Sequence, residues 1–185
     1  MTSLHTLIVV SGPAGSGKTT LAHAIASAVG CPAICRDEIK EGMVHATWGS
    51  AADGFVPGPG DELTARTLPV FFAVLEVLVR AGVTIVAEAA FQDHVWRPRL
   101  APLAGLAQLR IVQATVDPDL AIRRIEQRAQ DNPVRRAHAD PGSPRPAVPR
   151  TFTRVSLDVP SLKVDTTDGY RPGLDQIVAF VNSPA

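Results

Sequence analysis

A glycine-rich stretch near the start of the printed sequence has the residue types and the spacing of a phosphate-binding loop. It fits the pattern G-x-x-x-x-G-K-[ST], in which successive backbone N–H groups surround a phosphate. Lys18 would reach the β- and γ-phosphates of a nucleoside triphosphate, and the hydroxyl of Thr19 would bind Mg²⁺. The residues that we assign to nucleotide binding here are Gly12, Pro13, Ala14, Gly15, Ser16, Gly17, Lys18, Thr19 and Thr20.

The segments on either side of this loop fit the order strand, loop, helix that the motif requires. Residues 7–10 form a short apolar run typical of a buried strand, and Leu21, Ile25 and Val29 recur at helical spacing before Gly30. A helix that starts at the loop adds the positive end of its dipole to the N–H groups. A glycine-rich turn without phosphate chemistry is the alternative, and the flanking strand and helix disfavour it.

Two carboxylates follow short apolar runs that predict further strands of the same sheet. Asp37 comes directly after residues 33–36, and Glu88 ends the run 83–88. Ligands of an open α/β sheet bind at the carboxyl ends of its strands, so we expect both side chains near the loop. Asp37 is a candidate base for a hydroxyl nucleophile, and a helix N-cap role is compatible with it. Glu88 stands where the Mg²⁺-binding acid is usually Asp, so metal binding and base catalysis both stay open for it.

The rest of the chain alternates predicted helices and strands, which is typical of an α/β fold. Phe91 could form one wall of an acceptor pocket, and core packing is the equal alternative. Thr166 lies in a polar turn after the last predicted strand and could border the adenine of a bound nucleotide. The other predicted elements are a loop over 47–60, helices over 61–80, 96–106 and 117–130, strands over 109–116 and 162–167, and a closing helix with Leu174, Ile177, Val178 and Val181 on one face.

Arginines concentrate in the second half of the chain. Arg124 and Arg128 lie four residues apart on one face of the helix predicted over 117–130. Residues 123–154 hold eight arginines against three acidic residues. The proline-rich part of this stretch, residues 131–150, excludes a regular helix and predicts a basic lid over a bound triphosphate. A solvated basic face is the alternative. In favour of the lid, arginine beside phosphates can stabilise the phosphoryl group during its transfer.

Composition predicts a single domain over residues 1–185, with 45% hydrophobic and 19% charged residues. No apolar run approaches the ~20 residues of a membrane span, and no basic-then-apolar signal precedes the phosphate loop. We therefore expect a cytoplasmic protein without a membrane partner. The formal net charge is zero, so no overall field attracts nucleic acid, and a nucleic-acid partner is the less expected one. Composition leaves the oligomeric state open.

The chain has two cysteines, Cys31 and Cys35. No second Cys/His pair stands nearby in the sequence, so their spacing does not predict a zinc site. The expected cytoplasmic setting also disfavours a disulfide. We interpret both cysteines as small buried or half-buried side chains and not as a redox pair.

Together, these motifs resemble the small P-loop kinases (AAA_33-like) that are typified by chloramphenicol phosphotransferase, zeta toxins and the kinase domain of polynucleotide kinase. The resemblance spans nearly the whole chain, and its phosphate loop is the most specific part. The carriers are GPAGSGKTT at 12–20, CRDEIKEG at 35–42, IVAEAAF at 85–91, the pair Arg124 and Arg128, and KVDTT at 163–167.

The resemblance implies a three-layer P-loop NTPase fold of the nucleoside and adenylate kinase kind. Its five-stranded parallel sheet would have the order 2-3-1-4-5, with helices on both faces and a lid in the C-terminal half. The implied reaction transfers the γ-phosphoryl group of ATP to a hydroxyl, with Mg²⁺ as cofactor. Lys18 and Thr19 match the family's phosphate and Mg²⁺ ligands, Asp37 matches its base, and Arg124 and Arg128 match its lid arginines.

Lys40 marks a departure from polynucleotide kinases, which commonly carry Arg at this place to hold an acceptor phosphate. Lysine is a point charge and not a bidentate fork, so an acceptor phosphate is less strongly indicated. We therefore expect an ATP-dependent kinase whose acceptor is a hydroxyl of a small molecule such as an antibiotic, a nucleoside or a sugar. A polynucleotide or nucleotide 5′-hydroxyl kinase, a toxin-like sugar-nucleotide kinase and an ATP-binding regulator are the alternatives.

The assigned roles divide into three further sets. The catalytic set is Lys18, Asp37, Arg124 and Arg128, of which Arg128 also belongs with Thr166 to the nucleotide-binding residues. The acceptor set is Asp37, Lys40, Glu88 and Phe91, and the Mg²⁺ set is Thr19 and Glu88.

Overall fold

The computed structural model describes residues 5–48, 61–131 and 152–184, and within these ranges strands and helices alternate. The strands are β1 (Thr6–Ser11), β2 (Ala33–Cys35), β3 (Ile85–Ala89), β4 (Gln108–Thr115) and β5 (Ser161–Asp165). The helices are α1 (Lys18–Val29), α2 (Arg36–Trp48), α3 (Asp61–Arg80), α4 (Asp93–Leu100) with a 3₁₀ turn at Ala101–Leu103, α5 (Pro118–Asp131) and α6 (Leu174–Asn182). In the part of the chain that the structure describes, no helix has both the length and the apolar character that crossing a membrane requires.

The strands form a parallel sheet in the order β2-β3-β1-β4-β5, which confirms the expected order. β1 lies at the centre, where Val10 pairs with Glu88 of β3 and with Val112 of β4. β2 lies on the other side of β3 and places Cys35 opposite Glu88. Because all the strands run the same way, the residues that follow β1, β2 and β3 meet at one edge of the sheet.

Helices cover both faces of the sheet, so the protein has the expected three layers. On one face, α3 and α4 pack against the strands through buried side chains that include Phe71, Leu75, Val79 and Trp96. On the other face, α1 and α6 contribute Leu21, Ile25, Ile177 and Val181. A sheet that is buried on both faces needs near-continuous apolar strands, and this requirement explains the apolar runs in the sequence.

Several boundaries differ from the sequence-based expectation. α2 begins at Arg36, directly after β2, so Asp37 lies in the first turn of the helix and not at its N-cap. The same helix continues to Trp48, into the predicted loop, and residues 49–60 lie outside the described ranges. α5 ends at Asp131, and the remainder of the predicted lid over 131–150 also lies outside the described residues.

α4 starts before the predicted position at Trp96 because Asp93 holds its first turn in place. The Asp93 carboxylate accepts a hydrogen bond from the backbone N–H of Ser156 at 2.8 Å and pairs with Arg97 one turn later. The backbone N–H of Asp93 donates in turn to the carbonyl of Thr153 at 3.1 Å. The hydrogen bond from Arg97 and that from Ser156 hold the pKa of Asp93 below its usual range. These contacts fasten the chain around Thr153 and Ser156 to the carboxyl edge of the sheet.

Replacing Leu75 with alanine should lower the free energy of unfolding by about 2–5 kcal/mol, because the truncation leaves a cavity in the core. Leu75 is fully buried in α3, whereas Val77 on the same helix is 66% exposed. Val77→Ala is therefore the matched control, and we expect it to stay within about 0.5 kcal/mol of wild type. Chemical denaturation followed by circular dichroism measures both. Equal losses in the two variants would contradict the placement of α3.

Candidate phosphate-binding site

The loop between β1 and α1 has the backbone of a phosphate cradle. Gly15 and Gly17 have φ angles of 77° and 69°, in the left-handed region that residues with a Cβ rarely adopt. The loop closes a turn on itself, in which the N–H of Ser16 donates to the carbonyl of Pro13 at 3.2 Å. Gly17 is the residue before α1, so the first N–H groups of that helix and its dipole face the loop. This end of α1 can therefore attract an anion.

Two of the glycines also allow the loop to touch neighbouring backbone. A Cβ on Gly12 would lie 2.6 Å from the carbonyl oxygen of Ala114, at the end of β4. A Cβ on Gly15 would lie 2.5 Å from the carbonyl oxygen of Ala121, in α5. Both distances are shorter than carbon–oxygen contact, so side chains at these positions would push the loop away from β4 and α5.

Three side chains that the sequence assigned to the site meet beneath the loop. Nζ of Lys18 lies 3.8 Å from Oε1 of Glu88, and the hydroxyl of Thr19 donates to Oε2 of Glu88 at 3.1 Å. Glu88 is 1% exposed and Lys18 is 6% exposed. The parallel register of β1 and β3 puts Glu88 directly under the loop, and the start of α1 aims Lys18 and Thr19 at it.

The burial and the surrounding charges of the Glu88 carboxylate favour a bound cation. Burial raises the pKa of its carboxyl above the usual range, and the positive charge of Lys18 opposes that shift. The negative charge of Asp37 raises the pKa further, while hydrogen bonds from Thr19 and Cys35 lower it. Within the described ranges, Oε1 of Glu88 is buried without a hydrogen-bond partner. A buried carboxylate oxygen without a hydrogen-bond partner is stabilised by a positive ion next to it.

Asp37 lies beside this group, in the first turn of α2. Its side chain is partly exposed and accepts a 2.7 Å hydrogen bond from Nη1 of Arg36. Arg36 is more buried, and its guanidinium lies 5.8 Å from the centre of the Phe91 ring. Sequence reasoning did not assign a role to Arg36. Its position next to the candidate base at a strand end is the signal that could have found it.

Phe91 and Lys40, which the sequence assigned to the acceptor, both make contacts within the fold. The Phe91 ring stacks on Phe72 with centroids 5.8 Å apart and meets Trp96 edge-on at 5.3 Å. Phe91 therefore takes part in the core packing that the sequence left as an equal alternative to a pocket wall. Lys40 is 3% exposed, and its Nζ lies 3.4 Å from the hydroxyl of Thr64 on α3.

Thr166 joins the end of β5 to the phosphate loop. Its hydroxyl lies 2.7 Å from the carbonyl oxygen of Ser16 and 3.1 Å from that of Thr115, with Thr166 itself almost fully buried. Arg124 donates from Nη2 to the Thr166 carbonyl at 2.9 Å and from Nη1 towards its hydroxyl at 3.4 Å. The expected nucleotide-binding residue is thus a support of the loop, and Arg124 is held against the same place.

The other two assigned residues are Arg128 and Thr20. Arg128 is half buried one turn further along α5 than Arg124, and Thr20 is exposed in the first turn of α1. Asp117, the residue before α5, accepts a hydrogen bond from the N–H of Leu120 at 3.0 Å and so acts as the N-cap of this helix.

Two clefts open at the carboxyl ends of β1, β4 and β5. A cavity of about 190 Å³ lies at the ends of β1 and β4, and its lining includes Ser11, Gly12, Pro13, Gln113, Phe152 and Arg154. An open cleft of about 580 Å³ follows at the ends of β4 and β5, and its lining includes Thr115, Asp117, Arg154, Lys163, Asp165 and Arg171. Arg154 borders both clefts, and sequence reasoning gave it no individual role. It reaches this place through the contacts of Asp93 with the chain around it.

A strand, a glycine loop at the start of a helix, and a buried lysine–glutamate pair beneath them define a P-loop NTPase. The chain belongs to the AAA_33 family of AAA domains, whose model matches residues 7–141. No curated protein matches the chain.

The chain is similar in structure to several solved proteins of low sequence identity. A presumed kinase from Chloroflexus aurantiacus J-10-fl has a TM-score of 0.79 at 23% identity, over 97% of this chain and 97% of that one. A sugar kinase from Janibacter sp. HTCC2649 has a TM-score of 0.55 at 18% identity, over 94% of this chain and 90% of that one. A chain of the Pnkp1/Rnl/Hen1 RNA repair complex has a TM-score of 0.55 at 14% identity, over 71% of this chain and 40% of that one. At these identities the likeness establishes a shared fold.

Replacing Thr166 with valine should weaken the phosphate loop, because the Ser16 carbonyl would lose its hydrogen bond. An unpaired buried carbonyl costs about 1–3 kcal/mol, so we expect lower stability together with weaker binding of both ATP and inorganic tripolyphosphate. Thr166→Ser keeps the hydroxyl and is the control. Titration calorimetry measures binding. Weaker ATP binding with unchanged tripolyphosphate binding would instead indicate that Thr166 contacts the base.

Proposed function

We propose that this protein is an ATP-dependent kinase that transfers the γ-phosphoryl group to a hydroxyl of a small molecule. The observation that carries the proposal is the convergence of three groups on the Glu88 carboxylate. Lys18 and Thr19 contact it from the start of α1, and the charge of Asp37 acts on it from α2. Phosphoryl transfer to a hydroxyl needs a phosphate cradle, a metal-binding acid and a nearby base, and these residues can supply all three.

The residues beneath the loop fit Mg²⁺ as the cofactor. Mg²⁺ prefers oxygen ligands and keeps several waters, and Glu88 offers a buried oxygen that lacks a hydrogen-bond partner among the described residues. The hydroxyl of Thr19 lies beside the other oxygen of the same carboxylate. Thr19 and Glu88 would therefore hold the ion, Glu88 directly or through water. When bound, Mg²⁺ neutralises negative charge on the β- and γ-phosphates.

The charged residues around the loop would bind the triphosphate and stabilise the group in transfer. The loop N–H groups and Lys18 would bind the β- and γ-phosphates. Arg124 lies close to the phosphate loop, because its Nη1 is 3.5 Å from the position that a Cβ on Gly17 would occupy. Arg124 and Arg128 would then stabilise the negative charge that develops during transfer.

Asp37 would act as the general base in this mechanism. Its partly exposed carboxylate is open to an acceptor hydroxyl, and Arg36 orients it through the 2.7 Å hydrogen bond. The carboxylate would take the hydroxyl proton as the acceptor oxygen attacks the γ-phosphorus and the bond to the β-phosphate oxygen breaks. ADP is the leaving group, and positioning supplies most of the remaining rate enhancement.

The cavity next to Gly12 is a small space beside the phosphate loop. Its volume of about 190 Å³ is below the ~300–1,000 Å³ of pockets that hold drug-sized ligands. Pro13, Phe152 and Val155 give it apolar walls, and Arg154 adds a cation. A sugar-sized group suits these dimensions, but the lining includes none of Asp37, Lys40, Glu88 and Phe91, so the choice among acceptors is left to the screen below.

A nucleotide or polynucleotide 5′-hydroxyl kinase is the second candidate, and the buried Lys40 favours it. Lys40 follows Asp37 by one helical turn, where an ammonium group could attract an acceptor phosphate. Its contact with the Thr64 hydroxyl and the zero net charge of the chain count against a long nucleic-acid substrate. A regulator that binds ATP without transferring a phosphoryl group is a third candidate, and Asp37 would then have no chemical role.

A screen of ATP consumption separates the three candidates. The acceptors are sugars, nucleosides, antibiotics and 5′-hydroxyl oligonucleotides, and ADP release is measured with and without each one. Release that depends on a small alcohol supports the proposal. Release that depends only on oligonucleotides supports the second candidate, and ATP binding without acceptor-dependent release supports the regulator.

Lys18→Ala should lower turnover by at least about 10²-fold, because it removes a charge-assisted contact to the transferred phosphoryl group. We expect the melting temperature to stay near that of wild type, since Glu88 already has a raised pKa and can take up a proton when its cation is lost. Arg80→Ala removes an exposed cation from α3 and is the control. Wild-type turnover in Lys18→Ala would contradict the phosphate-loop assignment.

Asp37→Asn should lower acceptor-dependent turnover by about 10²–10⁴-fold, because the amide cannot accept a proton near neutral pH. ATP affinity should change little, since the triphosphate contacts lie on the loop. Glu76→Gln, an exposed carboxylate of α3, is the control. Steady-state kinetics and a nucleotide titration measure the two properties. If Asp37→Asn instead abolishes binding of Mg²⁺–ATP, Asp37 belongs to the metal site and Glu88 becomes the better candidate base.

A further inference from the structure

A second group of metal-ligand types lies outside the phosphate-binding residues, where α1, β2 and α2 meet. Nε2 of His23 on α1 lies 2.6 Å from Oε1 of Glu38 on α2 and 3.7 Å from Sγ of Cys35 at the end of β2. The three ligand atoms all lie within 4.8 Å of one another. Within residues 5–48, 61–131 and 152–184, no other three His, Cys, Asp or Glu side chains come this close together.

These ligand types suit a thiophilic divalent ion such as zinc. Zinc binds cysteine sulfur, histidine nitrogen and carboxylate oxygen at about 2.0–2.3 Å, so a tetrahedral site holds neighbouring ligand atoms about 3.3–3.6 Å apart. The separation of 3.7 Å between Cys35 and His23 is already close to this geometry. Nε2 of His23 and Oε1 of Glu38 are 2.6 Å apart, so these two atoms must separate by about 0.7 Å to bind the same ion.

The exposure of the three residues permits that adjustment. The side chains of His23 and Glu38 are 51% and 44% exposed, so both can rotate without disturbing the core. Cys35 is buried in β2, where the pairing with β3 holds its sulfur in place. Three protein ligands leave a fourth position for water on the exposed side, which is typical of an open zinc site and not of a closed structural one.

We propose that His23, Cys35 and Glu38 form a binding site for a zinc-class divalent ion, separate from the Mg²⁺ position at Thr19 and Glu88. Sulfur and imidazole ligands select zinc, cobalt or nickel over Mg²⁺, which prefers oxygen. Binding exchanges the S–H bond of Cys35 for a bond from sulfur to the metal, and the proton passes to solvent. The exchange needs neither an oxidant nor a reductant.

This metal site lies next to the phosphate site through Cys35. Cys35 lies opposite Glu88 in the pairing of β2 with β3, and burial together with the charges of Glu88 and Glu38 raises the pKa of its thiol. Binding of a metal ion at Cys35 would therefore change the charge next to Glu88. The two metal positions are therefore neighbours that one sulfur atom connects.

Cobalt(II) is the probe that distinguishes this site from the Mg²⁺ position. Cobalt occupies tetrahedral zinc sites, and a bound thiolate gives it a near-ultraviolet charge-transfer band that oxygen ligands do not give. The reduced, full-length protein is titrated with Co²⁺ in excess Mg²⁺, which occupies oxygen-rich sites. We expect one equivalent of Co²⁺ to produce the thiolate band and one equivalent of Zn²⁺ to remove it.

Single substitutions then assign the ligands. Cys35→Ser should abolish the thiolate band, and His23→Ala and Glu38→Gln should each weaken Co²⁺ binding by more than about 10-fold, since even indirect supports of metal sites cost that much. Cys31→Ser and His94→Ala, which change a half-buried cysteine and an exposed histidine elsewhere, are the matched controls and should leave binding unchanged. His23→Ala and Glu38→Gln alter exposed side chains, so they test the site even if Cys35→Ser does not fold.

Absence of a thiolate band in the wild-type protein overturns the proposal. So does a band that is equally strong in His23→Ala and Glu38→Gln, because the sulfur would then bind cobalt without the other two residues. Neither measurement uses phosphoryl transfer, so a protein that proves not to be a kinase leaves this test intact.

Discussion

The burial of the Glu88 carboxylate under the phosphate loop is the constraint on which the rest of the site depends. A charge taken out of water is costly unless it is paired, and the raised pKa of Glu88 records that cost. Lys18 and Thr19 offset it because α1 starts at the loop and β1 lies beside β3 in parallel register. The buried acid, the central strand pair and the start of α1 therefore form one electrostatic unit.

Backbone packing supports this unit from the opposite side of the loop. Gly12 and Gly15 let the loop touch β4 and α5, and the Thr166 hydroxyl bonds the carbonyl of Ser16 from the end of β5. Three separate elements thus hold the loop in shape without help from a ligand. A preorganised cradle of this kind lowers the cost of positioning phosphates, because folding has already ordered the groups that bind them.

The corner where β2 passes directly into α2 gives adjacent residues different tasks. Successive side chains of a helix project about 100° apart, so Asp37 and Glu38 face different neighbours in the same turn. The charge of Asp37 acts on Glu88, whereas Glu38 bonds His23 on α1. Cys35 immediately precedes this turn and lies opposite Glu88 in β3. The corner is therefore the place where the phosphate chemistry and the proposed zinc-class site meet.

Local sequence determined most of the fold, because periodicity, glycine spacing and strand-end carboxylates are properties of neighbouring residues. It located the phosphate loop, the five strands and the strand ends that carry Asp37 and Glu88, and resemblance supplied the sheet order. Tertiary structure decided what these residues touch: Phe91 packs among aromatic rings, Thr166 bonds a carbonyl 150 positions away, and His23 meets Cys35 across two elements. Such contacts depend on strand order and on the angle at which each helix leaves the sheet, and no local spacing encodes either one.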